Sequence, residues 1–215
     1  MRLVLSLFAL VLLTGCATVA QHSKTTDAVD SPRAPSIRGN AIVEFTNGTV
    51  VRGRAVIVAR DPASLRIELL GPFGHTAWAM VSNGTDVSIY KDSKQTTYAP
   101  GDPALPYSFS SRELVSYLLG RAPTTKEYRT VTDSEGRITE ATKYVNGAAV
   151  LNVTFADYQA VNGRTLPFVI SVTETGEPET DRHQSLVVRF TTVEVNPTIS
   201  EALFDKIARQ TEITD

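Results

Sequence analysis

From residue 38 to residue 195 the chain is built from short runs in which apolar and polar residues alternate. Leu65, Ile67 and Leu69 stand against Arg66 and Glu68. Leu166, Phe168, Ile170 and Val172 form a second row, and Leu186, Val188 and Phe190 a third, set against Arg189 and Thr191. A period of two puts such residues on one face of a β-strand. The pattern predicts eleven strands, at 38–46, 49–59, 64–71, 75–81, 85–91, 94–98, 126–132, 137–145, 148–156, 165–174 and 184–195. Four Asn-Gly pairs, beginning at Asn47, Asn83, Asn146 and Asn162, fall between runs, as type I′ hairpin turns would. Helical spacing occurs in two places. Ser110-x-x-Glu113 is a capping-box pattern, followed by Leu114, Val115, Tyr117 and Leu118 on one broad face and closed by Gly120. Pro197 to Arg209, preceded by Asn196, carries Leu203, Phe204 and Ile207 and predicts a second helix.

Composition narrows the function classes. The chain has 215 residues, 42% of them hydrophobic, which suits one sizeable core. Its 21 basic and 23 acidic residues leave a net charge of −2, so no surplus of cations favours nucleic acid. One Cys excludes an internal disulfide framework and a Cys-based zinc cluster. No Gly-x-Ser-x-Gly, His-Glu-x-x-His or phosphate-cradling glycine loop occurs, so the expectation is no catalytic residue, no metal and no cofactor. Glu174, Glu177, Glu179, Asp181 and His183 cluster around Gly176 and Pro178, where a solvated hairpin tip competes with a metal site and is preferred.

Met1-Arg2 precedes an apolar run from Leu3 to Leu13, too short to cross a bilayer as a helix and suited to a secretory signal. Leu13-Thr14-Gly15-Cys16 then resembles the lipobox of bacterial lipoproteins at all four positions; an ordinary signal with a chance Cys is the alternative. The resemblance implies that Cys16 receives diacylglycerol and becomes the N-terminus, and that Ala17, in place of Asp, directs the protein to the outer membrane. Thr18 to Ser36 is polar and without hydrophobic period, as a flexible tether would be. The expected organisation is a signal peptide at 1–15, an acylated Cys and tether at 16–37, and a β domain at 38–215.

The run Leu65-Arg66-Ile67-Glu68-Leu69-Leu70-Gly71-Pro72-Phe73-Gly74 resembles a hairpin of LolB-like outer-membrane lipoproteins and their periplasmic partner LolA. Leu114-x-x-x-Leu118-Leu119-Gly120-Arg121-Ala122-Pro123 is similar to that family's helix end. Val153-x-Phe155-x-Asp157-Tyr158, Leu166-Pro167 and Val193-x-Val195-Asn196 to Phe204 continue the likeness. The resemblance implies a mostly β fold, a half-open antiparallel barrel of about eleven strands with a helical lid. It implies an apolar cavity for lipoprotein acyl chains, taken from a LolA-like periplasmic carrier and inserted into the outer membrane with no bond made or broken. Partners would then be membrane lipids and lipoprotein acyl chains, at the periplasmic side of that membrane. The family's amphipathic helix before the first strand is replaced here by the polar tether.

Several side chains carry that expectation. Phe73, between Pro72 and Gly74, either projects for insertion into a membrane, as the family's residue at this hairpin is proposed to do, or folds back on its sheet. Trp78 and Met80, alternating with Ala77 and Ala79, line a cavity mouth or belong to the core. Leu65, Ile67, Leu69, Leu114, Tyr117 and Leu118 are the further cavity candidates. Arg66, on the polar face opposite Leu65 and Leu69, meets a partner or a cross-strand carboxylate. A lipoprotein adaptor that docks a protein in envelope assembly or secretion, without lipid cargo, is the competing function.

Overall fold

The computed structural model describes residues 35–91, 94–99, 102, 109–175 and 184–205. Each alternating run forms a strand: β1 Ser36–Asn47, β2 Thr49–Arg60, β3 Ser64–Leu70, β4 Thr76–Asn83, β5 Val87–Lys91, β6 Lys94–Tyr98, β7 Tyr128–Thr132, β8 Ile138–Val145, β9 Ala148–Val161, β10 Arg164–Glu174 and β11 Ser185–Val195. Helix α1 (Ser111–Leu118) lies between β6 and β7 in the chain. The signal peptide, Cys16 and nearly all of the tether lie outside the described residues.

All eleven strands join one antiparallel sheet in the order β6-β5-β4-β3-β2-β1-β11-β10-β9-β8-β7. Two meanders, β1 to β6 and β7 to β11, meet where β1 pairs with β11. The two free edges, β6 and β7, are therefore consecutive in the chain, and the segment joining them must cross the mouth of the sheet. That segment contains α1, so the helix becomes a lid through connectivity as much as through its own pattern. A flat sheet of this width would span ten strand spacings, about 48 Å. Instead Leu65 of β3, Phe155 of β9, Ile170 of β10 and the buried face of α1 belong to one core cluster. The sheet curls around that cluster.

Register explains which face is inward. Ile67 pairs with Ile57 on one side and Met80 on the other, and Ile57 pairs in turn with Gly39. Gly39 completes this row without a side chain because the ring of Phe190 lies over it; a Cβ there would come within 2.9 Å of the ring and 2.7 Å of the Thr192 carbonyl oxygen. A register shift in the β1–β11 pair follows at Asn40/Ala41. Gly120, just past α1, has φ +71°, and a Cβ on it would meet Pro167 Cδ at 2.7 Å. Here a left-handed helix end and a close approach to β10 coincide.

Three expectations need correction. β1 begins at Ser36, inside the stretch assigned to the tether, because Ile37 is buried between Val195 and Ala59. The Asn-Gly expectation holds with both residues at positive φ at Asn146-Gly147 (52°, 84°) and Asn162-Gly163 (48°, 76°). At Asn83-Gly84 only the glycine has positive φ, because the Asn83 side chain accepts from the backbone N–H groups of Thr85 and Asp86 and builds a wider turn. The helix expected over 197–209 is, among the described residues, a single 3-10 turn at Glu201–Phe204. Its only deeply buried side chain is Phe204, and residues 197–200 before it are irregular.

Candidate functional site

The space under α1 is the first candidate. The Ser110 side chain accepts from the Glu113 N–H, and the Glu113 carboxylate accepts from the Ser110 N–H at 2.7 Å, so the predicted capping box is formed. Leu114, Val115, Tyr117 and Leu118 are each no more than 1% exposed, and the helix rests on β2, β3 and β10. Leu65, Ile67, Leu69 and Met80 are buried in the same cluster, with Trp78 partly buried against it. The cross-strand pairs Ile67–Met80 and Leu69–Trp78 bring these residues together on the inward face. All eight sequence-chosen interior residues thus share one apolar body, and they meet one another as packed core.

A polar cluster joins this lid to the far edge of the sheet. Lys143 of β8 donates to Glu113 at 2.6 Å, and the Tyr128 hydroxyl of β7 donates to the same carboxylate at 2.6 Å. Tyr128 has one proton, already given to Glu113, so across their 2.6 Å contact the Tyr117 hydroxyl is the donor. Burial opposes ionisation of Glu113, but Lys143, Tyr128 and the Ser110 N–H outweigh it and hold the carboxyl below its ordinary value of 4.5. Burial raises both phenols, and the carboxylate beside Tyr128 raises that one further by accepting its proton. Among the described residues this is the one place where α1 is tied by charge to the sheet. The capping pattern locates Glu113, but nothing in residue spacing marks Tyr128 or Lys143 as its partners.

The second candidate lies at one end of the sheet. The β1–β2, β3–β4, β5–β6 and β8–β9 connections share that end, whereas Ser36 and the β2–β3 and β9–β10 turns share the opposite one. Between β3 and β4 the Gly71 N–H donates to the His75 carbonyl and the Gly74 N–H to the Gly71 carbonyl, closing a tight turn. Phe73 at its tip is 93% exposed, with only the His75 ring stacked near it, 6.5 Å between centroids. The ring projects; it does not fold back onto the sheet.

Solved structures offer a comparison for this architecture. A LolA superfamily protein from Nitrosomonas europaea is 12% identical with a TM-score of 0.54, covering 81% of this chain and 91% of its own. A putative outer membrane lipoprotein-sorting protein domain from Vibrio parahaemolyticus is 14% identical, with a TM-score of 0.52 over 80% and 89%. A DUF1329 family protein from Desulfovibrio piger is 12% identical, with a TM-score of 0.52 over 81% and 91%. The fold is LolA-like. No protein-family model and no curated protein matches the chain. At these identities it is the LolA-like fold that is shared.

On the outer face of the LolA-like sheet, Arg66 answers to a carboxylate and to the backbone. It pairs with Glu68 two residues along its own strand and donates to the Leu203 carbonyl at 3.0 Å. Arg60 grips Glu201 through two hydrogen bonds and lies 4.8 Å from the Phe204 ring. Both arginines hold the C-terminal turn against β3 and β4. A cleft of about 380 Å³ lies beside it, between β4–β6 and Phe204, and none of the predicted interior residues lines it. No helix among the described residues is long and apolar enough to cross a membrane. Glu177, Glu179, Asp181 and His183 lie outside the described residues, and no metal-holding group occurs within them.

Proposed function

We propose that this chain is a lipid-anchored, LolB-like carrier that accepts lipoprotein acyl chains beneath α1 and inserts the lipoprotein into the outer membrane. The observation that carries this reading is Phe73. A phenyl ring 93% exposed at a turn between Pro72 and Gly74 is a solubility liability with no packing role, and it gains a use only when it enters an apolar phase. The LolA-like sheet behind it supports the reading, as does the lipobox ending at Cys16. Donors would be a LolA-like periplasmic carrier, and the acceptor the outer leaflet's periplasmic neighbour to which Cys16 is attached. Because Leu114, Tyr117 and Leu118 fill the space beneath the lid, cargo uptake requires α1 to shift, and the Glu113 cluster resists that shift.

Two experiments test it. Cys16→Ala should yield an unprocessed chain without acyl groups; fatty-acid label retained by that variant would remove the anchor from the reading. Phe73→Glu should keep folding and cargo uptake yet lose delivery of a labelled lipoprotein to liposomes, because a carboxylate at the tip opposes entry among acyl chains. Delivery at the parent rate would remove the tip from the transfer mechanism, and no delivery by the parent protein would overturn the carrier reading itself. The competing adaptor function is favoured by one observation, the close packing of Leu65, Ile67, Leu114 and Leu118. An adaptor would show no delivery even in the parent protein.

A further inference from the structure

Among the described residues five large hydrophobic side chains are exposed, and four of them, Val50, Val51, Phe73 and Val145, lie at one end of the sheet. Phe73 belongs to the β3–β4 turn; Val50 and Val51 belong to the β1–β2 hairpin. The last β2–β3 pair is Arg54–Leu70, so residues 49–53 of β2 run on without a β3 neighbour, about 16 Å at the rise of a strand. Val50 pairs with Thr46 and Val51 with Phe45. Successive residues of a strand face opposite ways, so Val51 shares the inward face of Phe45 and Val50 the outer one. They are 49% and 64% exposed. A groove or a flat protein surface covers one side of a hairpin; two valines on opposite sides need surroundings on both. Arg52 and Arg54 follow, exposed, at the depth where long cationic side chains reach headgroups while their stems stay apolar.

We propose that the β1–β2 hairpin tip is a second membrane-inserting element, entering a lipid bilayer beside Phe73 with Val50 and Val51 among the acyl chains. The proposal rests on the reading of Cys16 as the anchored residue, and it sets a demand on the chain between. β1 starts at the end opposite the tips and is 12 residues long, about 40 Å. For the tips to meet the membrane that holds Cys16, residues 17–35 must span that length. Nineteen residues reach at most about 65 Å, so the segment is long enough, and by less than a factor of two.

The test uses the full chain in vesicles of phosphatidylethanolamine and phosphatidylglycerol. Acylation of Cys16 leaves an introduced cysteine as the only thiol, so Val51→Cys, Phe73→Cys and, at the opposite end, Glu135→Cys can each carry one fluorophore. Lipids bearing a shallow spin-label quencher should quench residue 51 about threefold more than residue 135, and residue 73 likewise. Residue 51 quenched no more than residue 135 would overturn the proposal, whether or not residue 73 is quenched. Flotation with the vesicles reports the anchor and quenching reports the tip, so the two readings fail separately. Deleting residues 20–31 leaves seven of the nineteen, about 25 Å of reach, and should abolish quenching at 51 while an equally long Gly-Ser replacement retains it. Quenching that survives the deletion would overturn the spanning geometry.

Discussion

Ile67 and Phe73 are six residues apart, and the first is 3% exposed where the second is 93%. Both are large and apolar. Ile67 sits mid-strand between Ile57 and Met80, under a helix that the β6-to-β7 connection draws across the sheet. Phe73 sits beyond the last pair of its hairpin, with the His75 ring stacked near it and no burial against the sheet. An apolar side chain of this hairpin therefore stabilises only within the span of the paired strands. Beyond that span the same chemistry contributes nothing to folding.

The comparison breaks most visibly at Ile67. Ile67→Asp places an unpaired carboxylate in the core and should cost about 3–5 kcal/mol, enough to prevent folding, as circular dichroism and urea titration would show. A stable Ile67→Asp protein would mean that this face meets water.

Glu113→Gln comes next, because it leaves the Lys143 ammonium without its carboxylate and should cost about 2–3 kcal/mol. Its pH dependence has a definite sign. A carboxyl held below its ordinary value of 4.5 in the folded state contributes its stability above that value and loses it as pH falls through the lowered one. Urea midpoints of the parent should therefore fall below about pH 4.5 more steeply than those of Glu113→Gln. Parallel curves would show that the cluster is not coupled to folding. If α1 must shift to admit cargo, the same variant should take up acyl chains faster than the parent does.

The smallest effect belongs to the tip. Phe73→Glu should change stability by less than about 0.5 kcal/mol, since the ring loses no packing. A larger loss in thermal unfolding would show that the ring is held against the sheet in solution, and the contrast with Ile67 would disappear.

Much of this architecture is written locally. Alternation of the Leu65/Ile67/Leu69 kind marks strands such as β3, β10 and β11 because a period of two survives wherever one face is buried, and the Ser110–Glu113 spacing marks the start of α1 because capping involves neighbours only. β9 extends to Val161, past the expected Ala156, held there by pairing with Arg164–Pro167, while only Tyr158 and Val161 of its last residues pack against the core and leave no regular apolar row. The C-terminal turn is gripped by Arg60 and Arg66, well over a hundred residues earlier, and no local spacing marks those partners.

Legible in the residues alone are most of the strands, the cap of the helix, the inward rows and the turn that carries Phe73, all of them properties of residues a few positions apart, while the exposure of that ring belongs to the folded sheet. The tertiary structure alone decided that β1 meets β11, that the free edges are bridged by α1, that Lys143 and Tyr128 meet Glu113, and that Val50, Val51 and Phe73 gather at the end away from Ser36. Each of these depends on pairing between segments distant in the chain. No local period encodes such pairing, because its free energy exists only once the sheet has curled.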